Sequence, residues 1–214
     1  MRADLPAHSP LVSAIILAGG NATRMNGANK GLVKLYNTPL IRFVLEKINP
    51  QVDELLISAN RDLATFAVFG HPILADVIKA ENGDLIGPLA GLHAGLSNAR
   101  HDYVFCSPCD MPNLPLTLVS RLMAQLQLAN AEIAVVKTND DVIPVLCLCR
   151  KSVLSSLTAY INQGGRRVST WQKSCAYIEA DLSDTFTYNA KGEVADQGGD
   201  FSNLNTMQDI ENYE

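Results

Sequence analysis

Two basic side chains and a pair of glycines follow the first strongly apolar run of the chain. The run at residues 14–16 leads to Gly19 and Gly20, and Arg24 and Lys30 come shortly after them. Adjacent glycines let backbone N–H groups approach an anion or a base closely. Two cations can neutralise the charge of a polyphosphate. The order of these residues therefore predicts a loop that binds phosphate or a nucleotide.

This loop does not match either of two common phosphate-binding patterns. A Walker A loop requires GxxxxGK[ST], whereas Lys30 here stands between Asn29 and Gly31. A dinucleotide-binding turn requires GxGxxG, and the first two glycines here are adjacent. A glycine turn with solvated charges is the simpler alternative.

Polar side chains also follow three other apolar runs that are typical of strands. Asn60, Asp76 and Asp110 each stand just past the end of such a run. In an open α/β sheet, ligands bind beyond the carboxyl ends of the strands. These side chains and the glycine loop are therefore predicted to converge at one edge of a sheet.

Apolar runs alternate with helical spacings along the chain, which predicts an α/β fold with a mostly parallel sheet and helices on both faces. The predicted strands are residues 13–17, 54–59, 73–75, 103–106, 132–137 and 144–149, with an extended segment at 175–178. The predicted helices are residues 39–48, 89–96, 116–128, 153–161 and 207–213. In the first of them, Thr38 is the expected N-cap, Pro39 the first residue, and the apolar spacing runs from residue 40 to residue 48.

Composition indicates an ordinary globular protein. The chain has 214 residues, of which 47% are hydrophobic and 18% charged. We predict a loose N-terminal tail at residues 1–10 and a single domain over residues 11–214. The formal net charge of −5 argues against binding to nucleic acid or to an anionic membrane. No apolar run approaches the roughly 18 residues of a membrane span.

Five cysteines without an export signal indicate reduced thiols and a cytoplasmic location. The CxxC at residues 106–109 permits a zinc or redox site as an alternative. Such a zinc site needs further ligands. We place Cys147 and Cys149 on opposite faces of a strand, which leaves at most one of them for it. Trp171 and Tyr177 could stack on a planar ligand ring, although core packing is the commoner use of such residues.

The motifs, in their order and spacing, resemble the molybdenum cofactor guanylyltransferases from about residue 13 to the C-terminus. The matching stretches are LAGG at residues 17–20, RM at 24–25, Lys30, GPLAG at 87–91, PCDMP at 108–112 and NLNT at 203–206. Many nucleotidyltransferases share the first three, whereas GPLAG and PCDxP are more specific. The resemblance implies a three-layer α/β/α, Rossmann-like nucleotidyltransferase fold.

The resemblance also implies an activity, which is transfer of GMP from GTP to molybdopterin with release of pyrophosphate. It implies a need for Mg²⁺, for which Mn²⁺ can substitute, and proteins that deliver or receive the cofactor as possible partners. Asp110 is the expected Mg²⁺ ligand, and the catalytic residues are Arg24, Lys30 and Asp110. The nucleotide-binding residues are Leu17, Ala18, Gly19, Lys30, Asn60, Asp76 and Asp110. Residues 164–167 and 203–206 match segments near the acceptor or the metal.

The chain departs from the family pattern at two positions. Asn29 stands where the family usually has aspartate, which removes a negative charge near the triphosphate. Ile143 precedes Pro144 where the family often has His-Pro, which bears on contacts with the acceptor. The segment between Asp76 and Gly87 is also longer than expected.

Other functions share part of this pattern. A molybdopterin cytidylyltransferase or another small nucleotidyltransferase that joins an NTP to a phosphate would carry the same loop. The GPLAG stretch and the absence of a hexapeptide-repeat domain disfavour the sugar-phosphate enzymes. A non-catalytic nucleotide-binding module is the alternative from another class, and the presence of both Lys30 and Asp110 argues against it.

Overall fold

The computed structural model forms a seven-stranded sheet and a small two-stranded one. It describes residues 10–19, 29–76, 78, 86–139, 141–183, 201, 203–204 and 206–213. The strands are β1 (Val12–Leu17), β2 (Lys34–Leu35), β3 (Thr38–Pro39), β4 (Glu54–Ser58), β5 (Ile73–Leu74), β6 (Tyr103–Pro108), β7 (Ile133–Thr138), β8 (Asp141–Arg150) and β9 (Tyr177–Asp181). Residues 1–9 of the predicted tail lie outside these ranges, and the single domain over 11–214 stays a prediction.

The central sheet is mostly parallel, as the sequence predicts. Its strand order is β5-β4-β1-β6-β8-β7-β9. All neighbouring pairs are parallel except those of β8, which runs antiparallel to both β6 and β7. Only two residues separate β7 from β8, and a connection that short joins antiparallel strands.

Helices cover both faces of this sheet. They are α1 (Leu40–Ile48), α2 (Leu63–Ala67), α3 (Pro88–Asn98), α4 (Leu118–Leu128), α5 (Leu154–Asn162), α6 (Val168–Gln172) and α7 (Met207–Tyr213). One core, which includes Ile16 of β1, contains residues of α1, α2 and α4, and the other, which includes Ile15, contains residues of α3, α5 and α6. This confirms the three-layer α/β/α fold. None of the described helices is long and apolar enough to cross a membrane.

Local signals failed at the start of α1 and for the shortest helices. The predicted N-cap is wrong, because Thr38 and Pro39 form β3 and no side chain caps the helix. The backbone N–H of Leu40 instead donates to the Val33 carbonyl at 2.9 Å. Helices α2 and α6 were not predicted, since five residues are too few to show a helical period.

The placement of Cys147 and Cys149 on opposite faces of a strand is wrong. Side chains two residues apart on a strand share a face. Both thiols lie in the core under α3, α5 and α6, with their Sγ atoms 3.8 Å apart and with Cys106 in the same cluster.

Gly95 allows α3 to lie directly against β1. Because the two elements are so close, we predict that a side chain at position 95 destabilises the protein. A Cβ on Gly95 would stand 2.7 Å from Cγ2 and 2.8 Å from Cβ of Ile15. Overpacking of this kind costs about 1–3 kcal/mol, which exceeds the roughly 1 kcal/mol that alanine gains over glycine in a helix. We expect Gly95→Ala to lower the free energy of unfolding in urea. Ser97→Ala, an exposed change on the same helix, is expected to stay within about 0.5 kcal/mol of the native value.

Candidate active site

The carboxyl ends of the parallel strands β1, β4, β5 and β6 meet at one edge of the sheet. Leu17, the last residue of β1, pairs in register with Ser58 of β4 and with Pro108 of β6. Ser58 in turn pairs with Leu74, the last residue of β5. The segments that follow these four strands therefore begin side by side.

Lys30 and Asp110 form an ion pair at this edge. Lys30 begins a short 3₁₀ helix, Lys30–Leu32, and Asp110 lies in the turn after β6. Their side chains are 23% and 6% exposed, so the carboxylate is the more buried partner. Burial raises the pKa of Asp110, and the hydrogen bond and charge of Lys30 oppose that shift. The two residues that the sequence assigns to the triphosphate and the metal are thus direct neighbours.

The C-terminal segment closes over Asp110. With its amide nitrogen turned towards the carboxylate, Asn203 donates to both Asp110 oxygens, at 2.5 Å and 2.6 Å. The backbone N–H of Leu204 donates to the Asp110 carbonyl at 3.0 Å. Leu204 is buried with Leu35 and Ile210, which anchors this segment. Sequence reasoning assigned no specific contact to the NLNT stretch, and the structure shows one at Asn203.

A second polar cluster lies at the ends of β4 and β5. The Nδ2 of Asn60 donates to Asp76 Oδ2 at 2.7 Å, and the Asp76 backbone N–H donates to Asn60 Oδ1 at 2.9 Å. The Ser58 hydroxyl donates to Asp76 Oδ1 at 3.2 Å. A Cβ on Gly19 would stand 3.0 Å from Asn60 Nδ2, so the glycine loop begins against this cluster. Sequence reasoning named Asn60 and Asp76 but missed Ser58.

Other predicted nucleotide-binding residues lie where β1 ends. Leu17 is its last residue, and the backbone N–H of Ala18 donates to the Ser58 carbonyl at 2.8 Å.

Gly87, which begins the GPLAG stretch and precedes α3, has φ +65°, a conformation that L side chains rarely adopt. The predicted catalytic residue Arg24, together with Gly20, lies outside the described residues.

Asn29 retains a capping role despite its departure from the family pattern. Its Oδ1 accepts from the Gly31 backbone N–H at 3.3 Å, at the start of the 3₁₀ helix. Its Nδ2 is buried and has no hydrogen-bond partner among the described residues. An aspartate would provide the same cap, so the substitution changes the charge beside Lys30 and not the local fold.

The chemistry of the donors fits Mg²⁺ better than zinc. Mg²⁺ takes oxygen ligands, commonly one or two carboxylates together with substrate phosphates, and Asp110 presents such a carboxylate. Burial, and after it the charge of Asp110, raises the pKa of Cys109 to about 12. Within the described ranges, no three His, Cys, Asp or Glu side chains are grouped so that they could hold a metal ion.

Trp171, which could have stacked on a pterin, is part of the core. Its side chain is fully buried in the cluster under α3 and α5, and its Nε1 donates to the Ser156 hydroxyl at 3.2 Å. Tyr177 is half-buried, and its hydroxyl donates to Glu179 at 2.9 Å. Core packing therefore accounts for Trp171.

Comparison with known protein families gives a match. The family described as the MobA-like NTP transferase domain matches residues 14–175 of this chain. A molybdenum cofactor guanylyltransferase from Burkholderia ambifaria is 43% identical over 188 residues, which cover 85% of this chain and 92% of that protein. One from Shewanella putrefaciens is 36% identical over 209 residues, which cover 98% of this chain and 97% of that protein.

A solved structure has the same fold. Molybdopterin-guanine dinucleotide biosynthesis protein A from Archaeoglobus fulgidus superposes with a TM-score of 0.72 at 20% identity, over 94% of this chain and 96% of that chain. These similarities confirm the family resemblance seen in the motifs. The chain therefore belongs to the MobA-like NTP transferase family, together with the molybdenum cofactor guanylyltransferases.

Proposed function

We propose that this chain transfers GMP from GTP to molybdopterin, which forms the molybdopterin guanine dinucleotide cofactor and releases pyrophosphate. Relatives named for this activity are 36% and 43% identical over most of the chain. The observation that carries the proposal is the meeting of Lys30 with the buried carboxylate of Asp110 at the carboxyl edge of the sheet. This pair combines a phosphate-binding cation with a metal-binding anion.

The reaction is an in-line displacement at the α-phosphorus of GTP. An ionised phosphate oxygen of molybdopterin forms a bond to that phosphorus. The bond from the α-phosphorus to the α–β bridging oxygen breaks, and its electron pair leaves with pyrophosphate. Because the attacking oxygen is already an anion, no strong general base is needed. The main barrier is repulsion between anions, which fixed positive charge lowers.

In this mechanism Lys30 stabilises the negative charge of the triphosphate and of the leaving pyrophosphate, and Arg24 assists it. Asp110 holds Mg²⁺, which, when bound, neutralises and orients the phosphate oxygens. With its amide nitrogen turned towards the carboxylate, Asn203 orients Asp110 through two hydrogen bonds. Backbone at Leu17, Ala18 and Gly19, with the side chains of Asn60 and Asp76, contacts the nucleoside.

Turnover with purified protein tests the proposal. The protein is incubated with molybdopterin, Mg²⁺ and each NTP in turn, while pyrophosphate release and the dinucleotide product are measured. We expect product with GTP, and chelation of Mg²⁺ by EDTA should abolish it. Product with CTP alone would identify a cytidylyltransferase. Nucleotide binding without pyrophosphate release would identify a non-catalytic module.

The cellular setting is also part of the proposal. All five cysteines are free thiols, as expected for a protein of the cytoplasm. The proteins that supply molybdopterin, or that receive the finished cofactor, are the expected partners.

Gly19 is expected to favour GTP over CTP. Its missing side chain leaves room for the larger purine, and an added methyl would press on the Asn60 amide, 3.0 Å from the Cβ position. We predict that Gly19→Ala lowers kcat/KM for GTP more than for CTP. Kinetics with both nucleotides measure this difference, and equal penalties would show that Gly19 serves the turn alone.

A further inference from the structure

Ser58 is a buried hydroxyl at the edge of the nucleotide site that the family motifs do not include. It is the last residue of β4 and only 2% exposed. Its hydroxyl donates to Asp76 Oδ1, and its carbonyl accepts from the Ala18 backbone N–H. One residue thus joins the segment after β1 to the carboxylate that follows β5.

The Asp76 carboxylate is held at both oxygens. Ser58 donates to one oxygen at 3.2 Å and Asn60 donates to the other at 2.7 Å. Strand β5, which precedes Asp76, has only two residues and is an outermost strand of the seven-stranded sheet. It therefore constrains the Asp76 side chain little. The two donors therefore set the orientation in which Asp76 faces a ligand.

Ser58 has no room to contact a ligand directly. A Cβ on Gly91, within the GPLAG stretch, would stand 2.7 Å from its Oγ, so α3 closes over the hydroxyl. Gly91 is itself buried. Its lack of a side chain is what lets α3 lie against β4 and leave the serine hydroxyl in place.

We infer that Ser58 is a positioning residue for the nucleotide site and acts on GTP binding through Asp76. This inference rests on the proposed function, in which Asp76 contacts the nucleoside. A hydrogen bond to a charged group contributes measurably to holding that group in place. Loss of the hydroxyl should leave the carboxylate held at only one oxygen, by Asn60, and therefore less well oriented. This weakens GTP binding while the phosphate chemistry at Asp110 is left intact.

Ser13 provides a matched control at the opposite end of the same sheet. It is a buried serine on β1, the strand next to β4, and its hydroxyl donates to Glu54 Oε2 at 2.6 Å. Ser13→Ala also loses the bond that the His101 backbone N–H donates to the Ser13 hydroxyl at 3.2 Å, and each alanine variant loses one hydrogen bond from a buried serine to a carboxylate. Only Ser58→Ala loses it at the predicted nucleotide site.

The experiment is a double-mutant cycle read by equilibrium GTP titration and by turnover with molybdopterin. Ser58→Ala should raise the Kd and KM for GTP about tenfold, with kcat at saturating GTP within about twofold. Ser13→Ala should leave GTP binding unchanged. In an Asp76→Ala background, the further change Ser58→Ala should have no added effect on the Kd. Ser58→Cys, which replaces the hydroxyl with a somewhat larger and weakly donating thiol, serves if the alanine variant does not fold.

The outcomes separate this inference from the proposed function. If the native protein uses GTP but Ser58→Ala and Ser13→Ala bind GTP equally well, Ser58 has only a structural role and the inference fails alone. Additive effects of Ser58→Ala and Asp76→Ala on the Kd would also overturn it. If the native protein neither binds GTP nor releases pyrophosphate, the proposed function and the inference both fail.

Discussion

Asp110→Ala is expected to lower the rate of GMP transfer by about 10²–10³-fold, the usual cost of losing a group that stabilises charge in the transition state. The carboxylate is nearly buried, pairs with Lys30 and lies against the Asn203 amide. Without it the site loses its proposed Mg²⁺ ligand. Turnover measured across a range of Mg²⁺ concentrations should show that added Mg²⁺ does not restore the rate.

Two further variants make this result specific. Asp110→Asn keeps the shape of the side chain and removes the charge, so it should lose activity to a similar extent while its urea unfolding curve shows a folded protein. Asp102→Ala removes an exposed carboxylate just before β6, at the opposite end of the strand, and should leave turnover unchanged. Near-native activity of Asp110→Ala would refute the metal assignment.

Lys30→Ala is expected to lower kcat/KM for GTP by roughly ten- to a hundredfold, because one hydrogen bond with a charged partner contributes about 1.5–3 kcal/mol. The effect should appear in both nucleotide binding and turnover, since Lys30 contacts the triphosphate before and during the reaction in the proposed mechanism. Competition between GTP and GDP measures the part that depends on the terminal phosphate.

Lys34 is the matched control for Lys30. It is an exposed lysine in β2, four residues further along the chain and outside the ion pair with Asp110. Lys34→Ala should change neither GTP binding nor turnover. Equal behaviour of the two variants in GTP titrations would mean that the cation of the loop is misassigned.

Hydrophobic pattern and motif order were sufficient to predict most of the fold. The long apolar runs of β1 and β4 and the helical spacing of α1 appear where they were expected. The pattern did not reveal the reversed direction of β8, because the strand's direction depends on the length of the turn before it and on which neighbours it joins. Helices of one turn, such as α2 and α6, owe their existence to packing and leave no period in the sequence.

The sequence by itself determined which residue types follow each strand, and so it identified Lys30, Asn60, Asp76 and Asp110 as site candidates. A parallel sheet brings the carboxyl ends of its strands together, and therefore position along the chain was enough to predict their convergence.

Only the tertiary structure decided which of these side chains touch. Asp110 pairs with Lys30, eighty positions earlier in the chain, and with Asn203 near its end. Ser58 reaches Asp76 because β4 and β5 are paired in register, and Gly91 leaves the space for that contact. Contacts of this kind depend on strand register and helix approach over distances of a few ångström, which no local pattern of residue types encodes.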